Sequence, residues 1–206
     1  MRSLLVLVIV ALPGLAAAFP TNNLLVNPSF EEPDVAPGTA QVFEGSIEGW
    51  TDLSFCGIEV QDNCCGAPSH GSQHVELDAD NCTSAISQTV PTQPGAKYVL
   101  SFDFSPRPSV VDNRVIVSWN GSQVFDLSEI SPPGGDVNWQ HHSAVVTATG
   151  TTSTVEFAGA DSPDGVGSYL DNLPEPGRST ALLAGLAMLW VLSVRRGKSH
   201  VGARPR

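Results

Sequence analysis

The chain has 206 residues, of which 41% are hydrophobic and 15% are charged, with 19 glycines and 16 prolines. This composition excludes a wholly disordered chain and favours many short strands joined by turns over long helices. The formal net charge of −11 excludes nucleic-acid binding through neutralised phosphates, so no nucleic-acid partner is expected.

The first 18 residues have the three parts of a secretory signal peptide. Arg2 precedes an apolar run from Leu4 to Leu12, and Ala16 to Ala18 supply small residues for a signal peptidase. We therefore predict that residues 1–18 are a signal peptide, that the mature chain begins near Phe19, and that the protein leaves the cytoplasm.

Short alternating runs, separated by turn residues, fill residues 19–173. In the run from Leu100 to Ser105, for example, every second side chain is apolar. Runs of this kind without helices between them predict one all-β domain, a single antiparallel β-sandwich. The dipeptide Asn120-Gly121 predicts a type I′ hairpin turn. The predicted strands are Ile58–Gln61, His74–Asp78, Leu100–Ser105, Arg114–Trp119, Gln123–Leu127, His142–Ala148 and Thr154–Phe157.

The cysteines of the chain are Cys56, Cys64, Cys65 and Cys82, and an even number in an exported protein indicates two disulfides. Adjacent cysteines would strain the peptide between them, so we do not expect Cys64 to pair with Cys65. Two pairings stay open: Cys56–Cys64 with Cys65–Cys82, or Cys56–Cys65 with Cys64–Cys82. A zinc site with nearby histidines is the alternative, but the spacing does not match a usual zinc knuckle.

Several short motifs follow one another in an order that resembles a known family. They are Asn27-Pro28-Ser29-Phe30-Glu31, Gly49-Trp50, the run from Gly71 to Asp78, Ile86-Ser87-Gln88-Thr89, the run from Tyr98 to Asp103, and Leu170-Asp171-Asn172. This set resembles the galactose-binding-like jelly rolls, which include many carbohydrate-binding modules and bacterial surface domains. The resemblance spans nearly all of residues 19–173 and implies a jelly-roll fold and a carbohydrate ligand.

The same resemblance implies a structural calcium ion near the meeting point of the first and last strands. The matching positions are Glu31 and Asp171, with a backbone carbonyl near Ser72. Oxygen ligands from distant segments suit a hard cation that takes six to eight of them. The alternative is that each carboxylate accepts hydrogen bonds from backbone N–H groups.

The polar side of the alternating strands is the candidate ligand surface. Alternation places Glu59, Glu76 and Asp103 opposite the apolar side chains, and Arg107 stands between two prolines that fix its backbone. A guanidinium held among carboxylates can donate two hydrogen bonds to a sugar on an open, concave face. The alternative is that Arg107 only neutralises Glu76 or Asp103 across the strands.

The C-terminal residues 174–206 form a second targeting pattern. Pro174-Glu175-Pro176 precedes an apolar run from Thr180 to Val194, and Arg195-Arg196 follows it. This order resembles the PEP-CTERM sorting signal of Gram-negative bacteria. The resemblance implies an inner-membrane precursor, cleavage by an exosortase-type membrane protease, and delivery to the cell surface or extracellular matrix. The alternative is a retained short transmembrane helix, although 15 residues span only about 22 Å of a hydrocarbon core about 30 Å thick.

No H-E-x-x-H, G-x-S-x-G or phosphate-loop motif occurs in the chain. The sequence therefore predicts a non-catalytic surface or matrix protein whose domain binds an extracellular polysaccharide. Two alternatives stay open, a structural matrix protein without a glycan ligand and an extracellular hydrolase whose site carries no recognisable motif.

Overall fold

The computed structural model describes residues 23–132 and 134–173, and these residues form 14 β-strands and no helix. The predicted signal peptide, residues 1–18, and the predicted sorting segment, residues 174–206, lie outside the described residues. Within the described part of the chain, no helix is long and apolar enough to cross a membrane.

The strands are short and lie in chain order as follows: β1 (Ala40–Phe43), β2 (Ser46–Ile47), β3 (Trp50–Asp52), β4 (Ile58–Asp62), β5 (Gln73–Glu76), β6 (Asp78–Ala79), β7 (Cys82–Thr83), β8 (Ala85–Pro91), β9 (Lys97–Ser105), β10 (Asn113–Trp119), β11 (Ser122–Glu129), β12 (Gln140–Thr147), β13 (Thr152–Gly159) and β14 (Tyr169–Asp171). Sheet A has the order β1-β4-β5-β14-β9-β12, and sheet B has the order β11-β10-β13-β8-β3-β2. Strands β6 and β7 form a separate pair, and all the pairings are antiparallel.

The chain passes repeatedly between the two sheets, from β8 in sheet B to β9 in sheet A and then to β10 in sheet B. The predicted single antiparallel β-sandwich of the jelly-roll type is therefore confirmed. The predicted hairpin is present as well, because Asn120 and Gly121 join β10 to β11 with φ angles of 50° and 73°. Two successive positive φ angles are what a type I′ turn requires.

The core lies between the sheets and is built around aromatic rings. Phe102 of sheet A packs edge-on against Phe157 of sheet B, with ring centroids 5.1 Å apart. Trp50 contacts Phe157 at 6.1 Å and Phe30 at 5.3 Å, which joins the segment before β1 to the same core. All four side chains are buried, so the sandwich is closed by large apolar surfaces from both layers.

The opposite side of sheet A, called the outer face below, carries polar side chains that alternate with the core residues of β4, β5, β9 and β14. Although it faces away from the core, most of this surface is buried, because the segments 63–70 and 164–167 fold over it. This cover determines where the predicted site residues lie relative to solvent. The outer face comprises Glu59, Gln61, His74, Glu76, Asp103, Ser105, Tyr169 and Asp171.

Candidate functional site

Three of the four predicted ligand residues lie in one hydrogen-bonded group on the outer face. Arg107 donates from Nη1 to Glu76 Oε1, and Gln61 donates from Nε2 to Glu76 Oε2. The same Gln61 nitrogen lies 2.9 Å from Glu59 Oε1, and the Gly167 N–H donates to Glu76 Oε1 at 2.6 Å. The structure therefore brings Glu59, Glu76 and Arg107 together, with Gln61 as the link that the sequence analysis did not identify.

Burial determines the electrostatics of this group. The Glu76 side chain has no exposed surface, and that of Arg107 is 20% exposed. Burial raises the pKa of Glu76 to about 7, while the nearby charge of Arg107 acts in the opposite direction. Burial also raises the pKa of Glu59 above its usual value. An open face was expected here, but the loops cover Glu76 and leave a buried ion pair.

Asp103, the fourth predicted ligand residue, lies on the same face with different partners. Its carboxylate accepts hydrogen bonds from Ser69 Oγ and from Asn172 Nδ2, the latter at 2.8 Å, and it contacts His141 Nδ1 at 2.8 Å. Burial acts to raise the pKa of Asp103, but these three partners together hold it below its usual value. Arg107 therefore pairs with Glu76, and Asp103 anchors the segment that covers the face.

The three residues predicted to hold calcium each have hydrogen-bond partners. Glu31 accepts from the Ser72 N–H at 3.0 Å and from the Ser72 hydroxyl at 2.8 Å. Asp171 accepts from the N–H groups of Ser69 and His70, both at 2.8 Å, and burial raises its pKa to about 7. Within residues 23–132 and 134–173, no cluster of three or more His, Cys, Asp or Glu side chains is placed to hold a metal.

N–H groups do not ligate a cation, so Glu31, Ser72 and Asp171 as arranged here do not fit a calcium site. Ser72 presents its N–H and hydroxyl to Glu31, whereas a backbone carbonyl was expected. The described contacts match the alternative in which the carboxylates tie loops to strand ends. Chelation tests the calcium predicted from the sequence, and the contacts described here lead us to expect no effect of chelation on stability.

The observed disulfide differs from both predicted pairings. Cys56 is bonded to Cys82, with Cα atoms 5.5 Å apart, whereas each prediction joined both of them to the pair Cys64 and Cys65. Both pairings are therefore wrong. The reason is topological, because the β6–β7 hairpin brings Cys82 next to the turn that contains Cys56, a proximity that sequence spacing does not show. Cys64 and Cys65 are unbonded, and their sulfur atoms lie 2.7 Å apart.

A cluster of aromatic rings on the outer face was missed by the sequence analysis. The His74 ring lies 4.4 Å from that of Tyr169 and 5.7 Å from that of Trp139, centroid to centroid. Burial lowers the pKa of His74 to about 4, and Arg107 acts in the same direction. His74 is therefore neutral at physiological pH and packs as a flat ring. The alternation of His74 with the core residue Val75 could have placed His74 on the outer face from the sequence.

A shallow hollow of about 560 Å³ opens at the end of the sandwich where β1 turns into β2. Its lining combines an apolar floor with exposed carboxylates, and none of these positions was predicted as a site. The spacing of the residues in sequence follows no strand period, which is why alternation did not identify them. We call this feature the hollow; it is lined by Glu32, Pro33, Phe43, Ser46, Ile47 and Glu48.

The two walls of the hollow are joined by one side chain. Asn27 donates from Nδ2 to the carbonyl oxygens of Glu32 at 2.5 Å and of Glu48 at 3.2 Å. Its Oδ1 accepts from the Glu32 N–H at 3.1 Å, and its own carbonyl accepts from Trp50 Nε1 at 3.0 Å. The hydrogen bonds of Asn27 therefore fix both walls of the hollow and connect them to the buried Trp50.

An exposed aromatic side chain stands on a neighbouring turn. Phe55 is 92% exposed and has a φ of 64°, an unusual conformation for a bulky residue. The Asp52 carboxylate accepts from the N–H groups of Ser54, Phe55 and Gly57, at 2.8, 3.1 and 2.9 Å, and so fixes the turn. Gly57 packs against the backbone of Phe43, because a Cβ atom at Gly57 would lie 3.2 Å from the Phe43 carbonyl oxygen. The turn that presents Phe55 is thus adjacent to the strand that lines the hollow.

The fold and these surfaces define a class of protein, an all-β sandwich domain with a closed polar face and an open hollow at one end. A family model described as "Protein of unknown function (DUF642)" matches residues 23–173, which include all the described residues. The chain belongs to this family.

Two curated relatives each match about three quarters of the chain. Both are described as "Multifunctional-autoprocessing repeats-in-toxin": that of Vibrio cholerae serotype O1 is 32% identical over 152 residues, and that of Vibrio vulnificus is 31% identical over 153 residues. Each match covers 73% of this chain and 3% of the relative. The chain thus spans only a very small part of these relatives.

Solved structures with a similar outline share little sequence with this chain. A family 35 carbohydrate-binding module from Clostridium thermocellum is 15% identical with a TM-score of 0.42, over 65% of this chain and 94% of the module. The module TmCBM61, solved with β-1,4-galactotriose, is 16% identical with a TM-score of 0.45, over 72% and 94%. The K1 adhesin domain of Lys-gingipain from Porphyromonas gingivalis is 11% identical with a TM-score of 0.47, over 65% and 94%. No site residue is transferred from these structures.

Proposed function

We propose that this domain is a non-catalytic module that binds a neutral polysaccharide, and that the sugar occupies the hollow. The observation that carries the proposal is the lining of the hollow, where an apolar floor lies beside exposed carboxylates in a site that is already open. Ligand sites of this kind combine mostly apolar walls with a few placed polar groups.

Each part of the lining has a role in binding a sugar. The half-buried ring of Phe43 and the ring of Pro33 offer apolar surface to the C–H faces of a pyranose. The exposed carboxylates of Glu32 and Glu48 accept hydrogen bonds from sugar hydroxyls. Because Asn27 already fixes both walls, little conformational entropy is lost when the sugar binds.

Charge selects the class of polysaccharide. The hollow is lined by two glutamates and no basic residue. All 21 acidic residues of the chain lie between Glu31 and Glu175, a stretch that contains only three basic residues. Uronate or sulfated polymers would be repelled by such a domain, whereas neutral hydroxyl-rich polymers would not.

The setting of the domain belongs to the same proposal. Export through residues 1–18 and sorting by an exosortase-type protease through residues 174–206 would deliver the domain to the cell surface or extracellular matrix. Mass spectrometry of surface material tests this step. The expected mature form lacks both segments, and surface material that retains Arg206 would overturn the sorting proposal.

Affinity gel electrophoresis tests the binding proposal. The exported protein runs in gels that contain a soluble β-glucan, a galactan, a galactomannan or, as the charged comparison, polygalacturonate. We expect retardation by at least one of the neutral polymers and none by polygalacturonate. Loss of both carboxylates in Glu32→Ala/Glu48→Ala is expected to weaken binding at least about tenfold, which corresponds to about 1.4 kcal/mol.

The matched control is Glu44→Ala, because Glu44 is an exposed glutamate of the same turn that does not line the hollow. This variant is expected to bind like the wild type. The proposal is overturned if none of the neutral polymers retards the protein, or if the double variant binds as well as the control.

A further inference from the structure

We propose that Cys64 and Cys65 form a disulfide with each other in the exported protein, and that this bond clamps the loop that covers the outer face of sheet A. The proposal concerns a covalent modification site and does not depend on carbohydrate binding. It also reverses the expectation from sequence that adjacent cysteines do not pair.

The first step is a count of the cysteines. The chain has four, and Cys56 is already bonded to Cys82. Within the chain, Cys64 and Cys65 therefore have only each other as partners. A disulfide at Cys56–Cys82 also indicates an oxidising compartment, where paired thiols do not persist in the reduced state.

The second step is the geometry of the pair. The two sulfur atoms lie 2.7 Å apart, so both side chains project to the same side of the peptide that joins them. This separation is closer than the ordinary contact of unbonded sulfur atoms. Ring strain was the objection to a bond between neighbours, but the backbone here already holds the sulfur atoms together. Closing the bond brings the sulfur atoms from 2.7 Å to about 2.05 Å.

The third step is the anchoring of the loop at Cys65 and on the C-terminal side of the pair. The Cys65 carbonyl accepts a hydrogen bond from the Tyr169 hydroxyl at 3.2 Å, and the Ala67 carbonyl accepts one from Trp139 Nε1 at 2.8 Å. Gly66 between them lies so close to Val137 that a Cβ at this position would overlap it. These contacts hold the backbone from Cys65 to Ala67 and so restrain the pair from its C-terminal side.

The chemistry is a thiol–disulfide exchange. Cys65 is exposed, whereas Cys64 is half-buried, and burial together with the neighbouring Cys65 raises the pKa of Cys64 to about 12. The Cys65 thiolate therefore attacks an external disulfide first, forming one S–S bond and releasing one thiolate. Cys64 then loses its proton to solvent and its sulfur attacks that of Cys65, which expels the second thiolate.

In this exchange the two cysteines lose two electrons and two protons, and the external disulfide is reduced to two thiols. The oxidant is a disulfide of the oxidising compartment, either a small molecule or an oxidoreductase. The Cys56–Cys82 bond requires the same class of oxidant, so no additional reagent is introduced.

Peptide mapping without reduction tests the proposal. The full chain is exported to the periplasm of a bacterial host, denatured in iodoacetamide and cleaved with a glutamate-specific protease. Cleavage after Glu48, Glu59, Glu76 and Glu129 places Cys56 in peptide 49–59, Cys64 and Cys65 in peptide 60–76, and Cys82 in peptide 77–129. We expect peptide 60–76 without alkyl groups and lighter than the dithiol by two hydrogen atoms.

Two variants serve as controls for the mapping. In Cys64→Ser, peptide 60–76 should carry one alkyl group or one small thiol on Cys65. In Cys56→Ser/Cys82→Ser, it should keep its internal bond. The proposal is overturned if wild-type peptide 60–76 takes two alkyl groups before reduction, or if it is cross-linked to another peptide or a second chain. The wild-type measurement decides between these outcomes even if a variant does not fold.

Discussion

Removal of Arg107 is the most direct perturbation of the outer face. In Arg107→Ala, the buried Glu76 carboxylate keeps Gln61 and Gly167 as hydrogen-bond donors but loses its counter-charge. Breaking a buried ion pair from one side costs about 3–5 kcal/mol, because the remaining charge is uncompensated. Since the Arg107 side chain is 20% exposed, we expect the lower end of this range, about 3 kcal/mol, at alkaline pH.

The loss should depend on pH, and its sign follows from the pKa of Glu76. Burial raises this pKa from 4.5 in the unfolded chain to about 7 in the folded protein. The contribution of Glu76 to stability is therefore fully present below about pH 4.5 and is lost as the pH rises through about 7. Arg107 holds the pKa down, so its removal raises the pKa further. At pH 5 Glu76 is protonated in both proteins, and the difference in stability should fall to about 1 kcal/mol.

Urea denaturation of both proteins at pH 5 and pH 9 measures this difference. The double variant Arg107→Ala/Glu76→Gln should recover most of the alkaline loss, because it removes the unpaired charge. Arg114→Ala is the matched control, since Arg114 pairs with Asp126 at an exposed site. The reasoning is refuted if the loss for Arg107→Ala is equal at the two pH values, or if it does not exceed the loss for Arg114→Ala at pH 9.

Three further predictions concern the disulfide, the Phe55 turn and the residues predicted to hold calcium. The Cys56–Cys82 bond closes a loop with a sequence separation of 26, so Cys56→Ser/Cys82→Ser should lower the free energy of unfolding by about 3 kcal/mol in urea titrations. A loss near zero would show that this bond does not stabilise the fold. Because Phe55 has a positive φ, Phe55→Gly should be more stable than Phe55→Ala by about 0.5–1 kcal/mol, and equal stabilities would show that the turn is unstrained. Excess EDTA should leave the melting temperature unchanged, since N–H donors already satisfy Glu31 and Asp171; a fall that calcium reverses would establish the ion.

The long strands could be predicted from the sequence because each contains several periods of alternation. The predicted run Leu100–Ser105 lies inside β9, and Arg114–Trp119 is nearly the whole of β10. Strands of two or three residues, such as β2 and β14, are too short to show a period. They form because their neighbours in the sheet supply hydrogen-bond partners, which is information that a local pattern does not contain.

The candidate site was less predictable, for a reason that Glu76 illustrates. Alternation correctly places Glu76 on the side of sheet A away from the core, but it does not show whether that side meets solvent. The cover comes from Gly167, which is 91 residues further along the chain, and from the loop that contains Cys65. The Cys56–Cys82 disulfide could not be predicted for the same reason, because the position of the hairpin that carries Cys82 depends on tertiary structure.

The two polar surfaces of the domain are the outer face and the end with the hollow and the Phe55 turn, and they contribute differently to the stability of the fold. On the outer face, the ion pair and the carboxylate anchors are hydrogen-bonded and mostly buried under the covering loops, so a ligand would have to break existing contacts before it could bind. At the other surface, Phe55 keeps 92% of its side chain in water at a positive φ, a conformation that costs on the order of 1–2 kcal/mol for a residue with a side chain. Residues held in such unfavourable backbone conformations cluster at functional sites. The hollow beside this turn has unfilled apolar surface and carboxylates free to accept hydrogen bonds. This asymmetry favours the hollow over the outer face as the proposed ligand site and leaves the outer face a role in holding the fold.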